Sequence, residues 1–157
     1  VAYYQLAGYH AEGDMGLPQD WLKANELYLK AGELGCAAAY NSLGYSYAHG
    51  TGVEIDKKKA MHYFELAAMN GNVKARNNLG VIEVQAGNLL RGMKHFILAA
   101  KAGQDTSLNN VKQGFMDGIV GKDEYANTLR AYQKSKDEMK SEARDKAAAI
   151  RGHRSAS

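Results

Sequence analysis

Histidines, cysteines and paired carboxylates most often carry acid–base, nucleophilic or metal chemistry, and here their spacing argues against all three. The five histidines stand at positions 10, 49, 62, 95 and 153. No two are four residues apart, so no helical face presents the paired imidazoles that hold a metal, and no carboxylate cluster repeats beside them. His62 and His95 read as helix-surface residues. Cys36 is the single cysteine, which excludes an internal disulfide and a thiolate zinc cluster within these residues. His49-Gly50-Thr51-Gly52 has the glycines of a phosphate-cradling loop. It lacks the lysine and hydroxyl residue that end such a loop, and it follows a helical stretch instead of a strand. The chain therefore reads as no enzyme, with no cofactor and no metal.

The elements that place these residues come from a repeat. Leu43-Gly44-x-x-Tyr47-x-x-Gly50 is echoed by Leu79-Gly80, thirty-six residues later, and by Leu6-Ala7-x-x-His10-x-x-Gly13 before it. A second pattern follows each: Lys23-Ala24 with Tyr28, Ala31 and Gly35; Lys59-Ala60 with Phe64, Ala67 and Gly71; Gly92 with Phe96, Ala99 and Gly103. Spacings of three and four put a ring and a small residue on one helix face, where the ring of one helix can sit on the alanine or glycine of its neighbour. Glycines 13, 50, 87 and 118 end the first helices and glycines 35, 71 and 103 the second, where a left-handed residue is needed. Asp20, Asp56 and Asn88 are placed to cap the helices that follow. The linking loops Gly16-Leu17-Pro18-Gln19-Asp20 and Gly52-Val53-Glu54-Ile55-Asp56 each offer a flexible glycine and an apolar residue to tuck beneath.

One proline and three phenylalanines beside ten tyrosines fit an all-α chain, and periodic units of this length mean a solenoid. The fold class expected is a short right-handed α-α superhelix of three to four helix pairs with a long C-terminal capping helix. Its divisions are 1–35, 36–71 and 72–103 for three repeats, 104–121 for a divergent fourth first helix, 122–151 for the cap and 152–157 for a frayed tail. The cap carries Tyr125, Leu129 and Tyr132 on one face; pairs such as Glu142 and Lys146 support its exposed end.

Ala39, Leu43, Gly44, Tyr47, Gly50, Gly52, Val53, Asp56, Lys59, Ala60, Phe64, Ala67, Ala68 and Gly71 together resemble the Sel-1-like repeats, relatives of the tetratricopeptide repeats with a longer loop within each helix pair. The resemblance covers roughly residues 1–118 and is fullest in the second unit. Glu83 and His10 depart from it by standing where a tyrosine is expected, which predicts looser packing there. The resemblance implies an adaptor or scaffold that binds another protein or a peptide on a concave face lined by first helices. Carried over by position, its contact residues are Ala38, Asn41, Tyr45 and His49, then Lys74, Asn77, Val81 and Gln85, then Asn109, Gln113 and Asp117. Asn41, Asn77 and Asn109 recur in three successive units. Amides in such a ladder can bond the main chain of an extended peptide without reading its sequence, whereas the plainer reading is that they satisfy neighbouring helices. Tyr4 and Tyr45 project from first helices and are the rings best placed for a partner, while Tyr28, Tyr47 and Tyr63 belong to the core stripe.

Charge narrows the partner. Residues 122–154 hold nine lysines and arginines against six acids, and the first 121 residues hold eleven of each. A neutral array gives nucleic acid little to bind. The lysines 57–59 open a helix and are expected to fan into solvent. No stretch of eighteen apolar residues occurs, so no membrane insertion is expected, and the cysteine content favours a soluble protein in a reducing compartment such as the cytoplasm. The alternative to an adaptor is a structural subunit held stably in a larger complex. A third reading, a relative that binds or hydrolyses β-lactams, relies in this family on paired cysteines within each repeat, and Cys36 stands alone.

Overall fold

The protein is seen in a computed structural model that describes residues 2–156. Eight helices follow one another, with no strand among the described residues: α1 (Ala2–Glu12), α2 (Trp21–Glu33), α3 (Ala37–His49), α4 (Lys57–Met69), α5 (Val73–Gln85), α6 (Leu89–Lys101), α7 (Asp105–Met116) and α8 (Lys122–Ala156). Several starts and stops trace to particular residues. Asp20 and Asp56 hold extended backbone ahead of α2 and α4, and their carboxylates accept from the N–H of Lys23 at 3.0 Å and of Lys59 at 3.1 Å. Asn72 caps α5 likewise, accepting from Ala75 N–H at 2.8 Å. Each such cap is worth about 1 kcal/mol. All seven glycines expected to end helices have positive φ.

The chain divides into two compact units, residues 1–95 and 96–157. In the first, antiparallel neighbours bury two apolar clusters. One joins Ala7 and Ala11 of α1, Ala24, Leu27, Tyr28 and Ala31 of α2, and Ala39 and Leu43 of α3. The other joins Ala48 of α3, Ala60, Phe64, Ala67 and Ala68 of α4, and Ala75, Leu79 and Ile82 of α5. Ring against small residue is the contact: a Cβ on Gly32 would come within 2.6 Å of the Tyr40 ring, and one on Gly44 within 2.6 Å of the Phe64 ring. Tyr63 lies near-parallel to Tyr40 at 6.0 Å and to Tyr47 at 5.7 Å, half-buried.

A buried polar link fixes the loop between α3 and α4. Asn25 is 5% exposed, donates to Thr51 O at 2.8 Å and accepts from Ser46 Oγ at 2.7 Å. Gly52 completes the seat: its φ is +73°, and a Cβ there would meet Trp21 Cβ at 2.6 Å and Trp21 carbonyl carbon at 2.8 Å. This glycine is needed for close docking of the loop on α2, where the sequence had suggested only flexibility.

In the second unit α8 covers α7. Phe115 stacks on Tyr125 at 4.6 Å, Val111, Ser107 and Thr128 are buried, and Ser135 Oγ donates to Lys101 O at 2.6 Å. Asp105 accepts from Lys136 at 2.8 Å and Tyr132 at 2.5 Å, bonds that hold its carboxyl below the ordinary range.

Four expectations need correction. Helix α8 runs unbroken to Ala156, where a frayed tail was expected from 152, because its i to i−4 ladder needs no tertiary contact to continue; Ser157 lies outside the described residues. Glu83 is well packed, 7% exposed, since Asn88 Nδ2 donates to its Oε2 at 2.8 Å and so satisfies the buried carboxylate. His95 is half-buried, and its Nδ1 is buried without a partner, as is that of His10. Lys57 and Lys59 turn back onto the fold: Lys57 Nζ donates to Ala48 O at 3.0 Å, and Lys59 lies 5.3 Å over the Tyr47 ring.

Candidate functional site

Tyr45 and His49 are four residues apart on α3, and their rings stack with centroids 4.0 Å apart. The imidazole Nδ1–H faces Tyr45 O at 3.0 Å, which fixes the pair as one surface on the last turn of the helix. Tyr45 is half exposed, far more than an aromatic ring needs for packing alone. From α5, Val81 and Ile82 approach the same surface, with Asn78 one turn before them and Gln85 one turn after. From α4 come Lys57 and Phe64. Together these residues enclose a cavity of about 220 Å³.

A second cavity, about 200 Å³, lies on the other flank of Tyr45, between α2 and α3, and is lined by Trp21, Tyr28, Asn41, Ser42 and Tyr45. Burial and the neighbouring Tyr4 raise the phenol of Tyr28 above its usual range, so it stays neutral and polar-tipped. Asn78 Nδ2 donates to Asn41 Oδ1 at 2.9 Å and ties α5 to α3 across the surface. Neither lining contains a carboxylate, and Lys57 is the one formally charged side chain in the two. Such walls can grip apolar side chains and bond main-chain amides. Among the described residues, no three histidines, cysteines or carboxylates gather as a metal site would require.

The structure thus brings together Tyr45, His49 and Val81, with Asn41 on the adjoining wall. Two other expected residues of the first unit are less exposed than expected. Asn77 is only 8% exposed and is engaged within the fold. Tyr4 is half-buried, its ring 5.7 Å from that of Tyr28. Asn109 and Gln113 are exposed on α7, in the second unit, where Gln113 Nε2 donates to Asp117 Oδ1 at 2.9 Å. The amide ladder is therefore uneven: one amide bonded and half-buried, one buried, one exposed. Trp21, Ser42 and Lys57 were missed. Trp21 and Lys57 open α2 and α4 and stand thirty-six residues apart, so the repeat register itself was the signal that could have found them.

The family model for the Sel1 repeat matches residues 1–36, 37–72 and 74–104. The chain belongs to the Sel1 repeat family. Sel1 repeat proteins generally serve as protein-interaction scaffolds. A component of an ERAD-associated E3 ubiquitin-protein ligase from Arabidopsis thaliana, HRD3B, is 34% identical to this Sel1 repeat chain over 98 residues, 60% of the chain and 15% of that protein. Two crystal structures share the fold. A Sel1 repeat protein from Oxalobacter formigenes superposes with a TM-score of 0.72 at 22% identity, covering 87% of this chain and 57% of that one. A protective antigen of uropathogenic Escherichia coli strains with an SLR fold gives 0.73 at 28% identity, covering 87% and 30%. The chain spans less than two thirds of each of these relatives. No helix among the described residues is long and apolar enough to cross a membrane.

Proposed function

We propose that this Sel1 repeat chain is a non-catalytic interaction module that holds a peptide segment or partner surface on the face formed by α3 and α5. The carrying observation is the exposed Tyr45–His49 stack standing between two cavities with no carboxylate in their walls. Exposed rings with a polar tip, seated beside pockets, are the residues that dominate protein interfaces. Val81 supplies apolar contact. Asn41 and Asn78 share one hydrogen bond and keep capacity for a main chain laid across them. Within the second unit, exposed Asn109 and Gln113 of α7 are carried as contact positions of that unit by itself. Nucleic acid is disfavoured as ligand, since a single lysine offers little for phosphates to release counterions against.

The test is affinity capture from the native source with the wild-type chain and a Tyr45→Ala, Val81→Glu double variant, both first shown to be folded. Capture of one partner by the wild type and its loss in the variant supports the reading. Equal capture sinks it. Asn109→Ala, run in parallel, reports whether α7 contributes; Asn77→Ala is unsuitable, because truncating a buried amide disturbs the fold.

A second reading is favoured by the similarity to a component of a ligase complex: a subunit held permanently in a larger assembly. Co-fractionation in high salt separates the two. A peptide groove releases its ligand, whereas an obligate interface of about 2,000 Å² or more persists.

A further inference from the structure

The two cavities beside Tyr45 are one structural position written twice. Trp21, Tyr28, Ser42 and Tyr45 line the first, and the residues thirty-six positions later, Lys57, Phe64, Asn78 and Val81, line the second. The repeat has copied the pocket along with the helices, and Tyr45 forms a wall of both. At about 200 and 220 Å³, each is below the roughly 300–1,000 Å³ usual for a cofactor and suits a single side chain.

The copies differ in chemistry. Rings wall the first, from Trp21, Tyr28 and Tyr45, beside the amide of Asn41 and the hydroxyl of Ser42. The second has aliphatic walls from Ala48, Val81 and Ile82 beside Phe64, and its polar rim is Lys57, His49, Asn78 and Gln85. Lys57 spends one of its three N–H donors on Ala48 O and keeps two. It also opens α4, where the helix dipole adds partial positive charge. The acids nearest in sequence, Glu54 and Asp56, line a different cavity, together with Lys59 and Tyr47. The second lining holds one cation and no acid, so the complementary group is a carboxylate.

Spacing completes the description of the ligand. Helices α3 and α5 are bonded directly through Asn41 and Asn78, and neighbouring packed helices lie about 8–10 Å apart. An extended or polyproline II chain covers that distance in about three residues. Given the docking face proposed above, we infer that the occupant is an acidic, extended peptide segment bearing two apolar side chains three residues apart. One side chain enters the ring-walled pocket. The other enters the Phe64–Val81 pocket, with an adjoining carboxylate on Lys57.

Selection of phage-displayed random dodecapeptides on the intact chain tests this, followed by fluorescence polarisation of the most enriched peptide. The expected pool has apolar residues three apart and a net negative charge. The winner should lose about tenfold in affinity on Lys57→Gln, more on Lys57→Glu, and about tenfold on Tyr45→Ala, the size of one anchor contact. Selection on Lys57→Glu should lose the acidic bias. Circular dichroism and thermal melting of each variant confirm that it folds. A neutral or basic pool, no enrichment, or affinity unchanged by these substitutions overturns the inference. Capture of a native partner that still depends on Tyr45 would then leave the docking face standing while removing its acidic ligand.

Discussion

At the scale of single residues, the glycines show how much of the fold depends on what a position touches. Gly8 and Gly44 both lie inside helices, but a Cβ on Gly8 meets nothing within 4 Å, whereas one on Gly44 would strike the Phe64 ring. Gly44→Ala should destabilise by about 1–3 kcal/mol through overpacking. Gly8→Ala should stabilise by about 0.5–1 kcal/mol, as glycine is a poor helix former. Urea denaturation of the two variants checks both signs. Asn25 makes a similar point with polar atoms: Asn25→Ala strands Ser46 Oγ and Thr51 O, and should cost about 1–3 kcal/mol in the same experiment. That glycine, ring and alanine would meet was legible from spacing. That Asn25 would bridge α2 to the loop was not, because its partners are twenty-one and twenty-six residues away.

Helices respond to pH and to truncation in ways their packing dictates. Burial and then Arg76 lower the pKa of His95 on α6 from the ordinary 6.5, with Glu83 and Glu65 acting the other way. The unfolded chain therefore binds this proton more readily than the folded one, so the contribution is whole above about pH 6.5 and is lost as pH falls below it. The urea midpoint should drop between about pH 7 and 5, and the drop should be shallower in His95→Gln. Helix α8 is divided in function. Tyr125, Thr128, Tyr132, Ser135, Lys136 and Met139 bind it into the second unit, while residues 140–156 are exposed apart from half-buried Ala147. Ending the chain after residue 140 should shift stability by no more than about 0.5 kcal/mol. Ending it after residue 121 uncovers Val111 and Phe115 and should cost several times that, as thermal melting would show.

For the whole molecule, the decisive property is that tertiary packing in each unit joins helices close in sequence. Chains of this kind fold on the order of milliseconds or faster, since little loop-closure entropy is spent before contacts form. Stopped-flow refolding from urea should find the main phase there. Solenoids also gain stability by neighbour contacts, so the corrections seen here stay local: a carboxylate replacing a ring at Glu83 is absorbed by Asn88 five residues away and does not alter the course of the chain.

The sequence by itself determined the helices, the Asp20 and Asp56 caps, the glycine punctuation and the family, because these follow from short-range backbone preferences and from a repeat that states the same local solution several times. It also singled out Tyr45, His49, Val81 and Asn41. Tertiary structure alone decided which of the repeated positions were buried and which were exposed. Equivalent places in a repeat share a backbone environment but not their neighbours' side chains, so Asn77 is buried where Asn109 is exposed. That Trp21 and Lys57 occupy equivalent positions is written in the repeat register, but that each lines a cavity against Tyr45 arises from packing between helices that no local rule specifies.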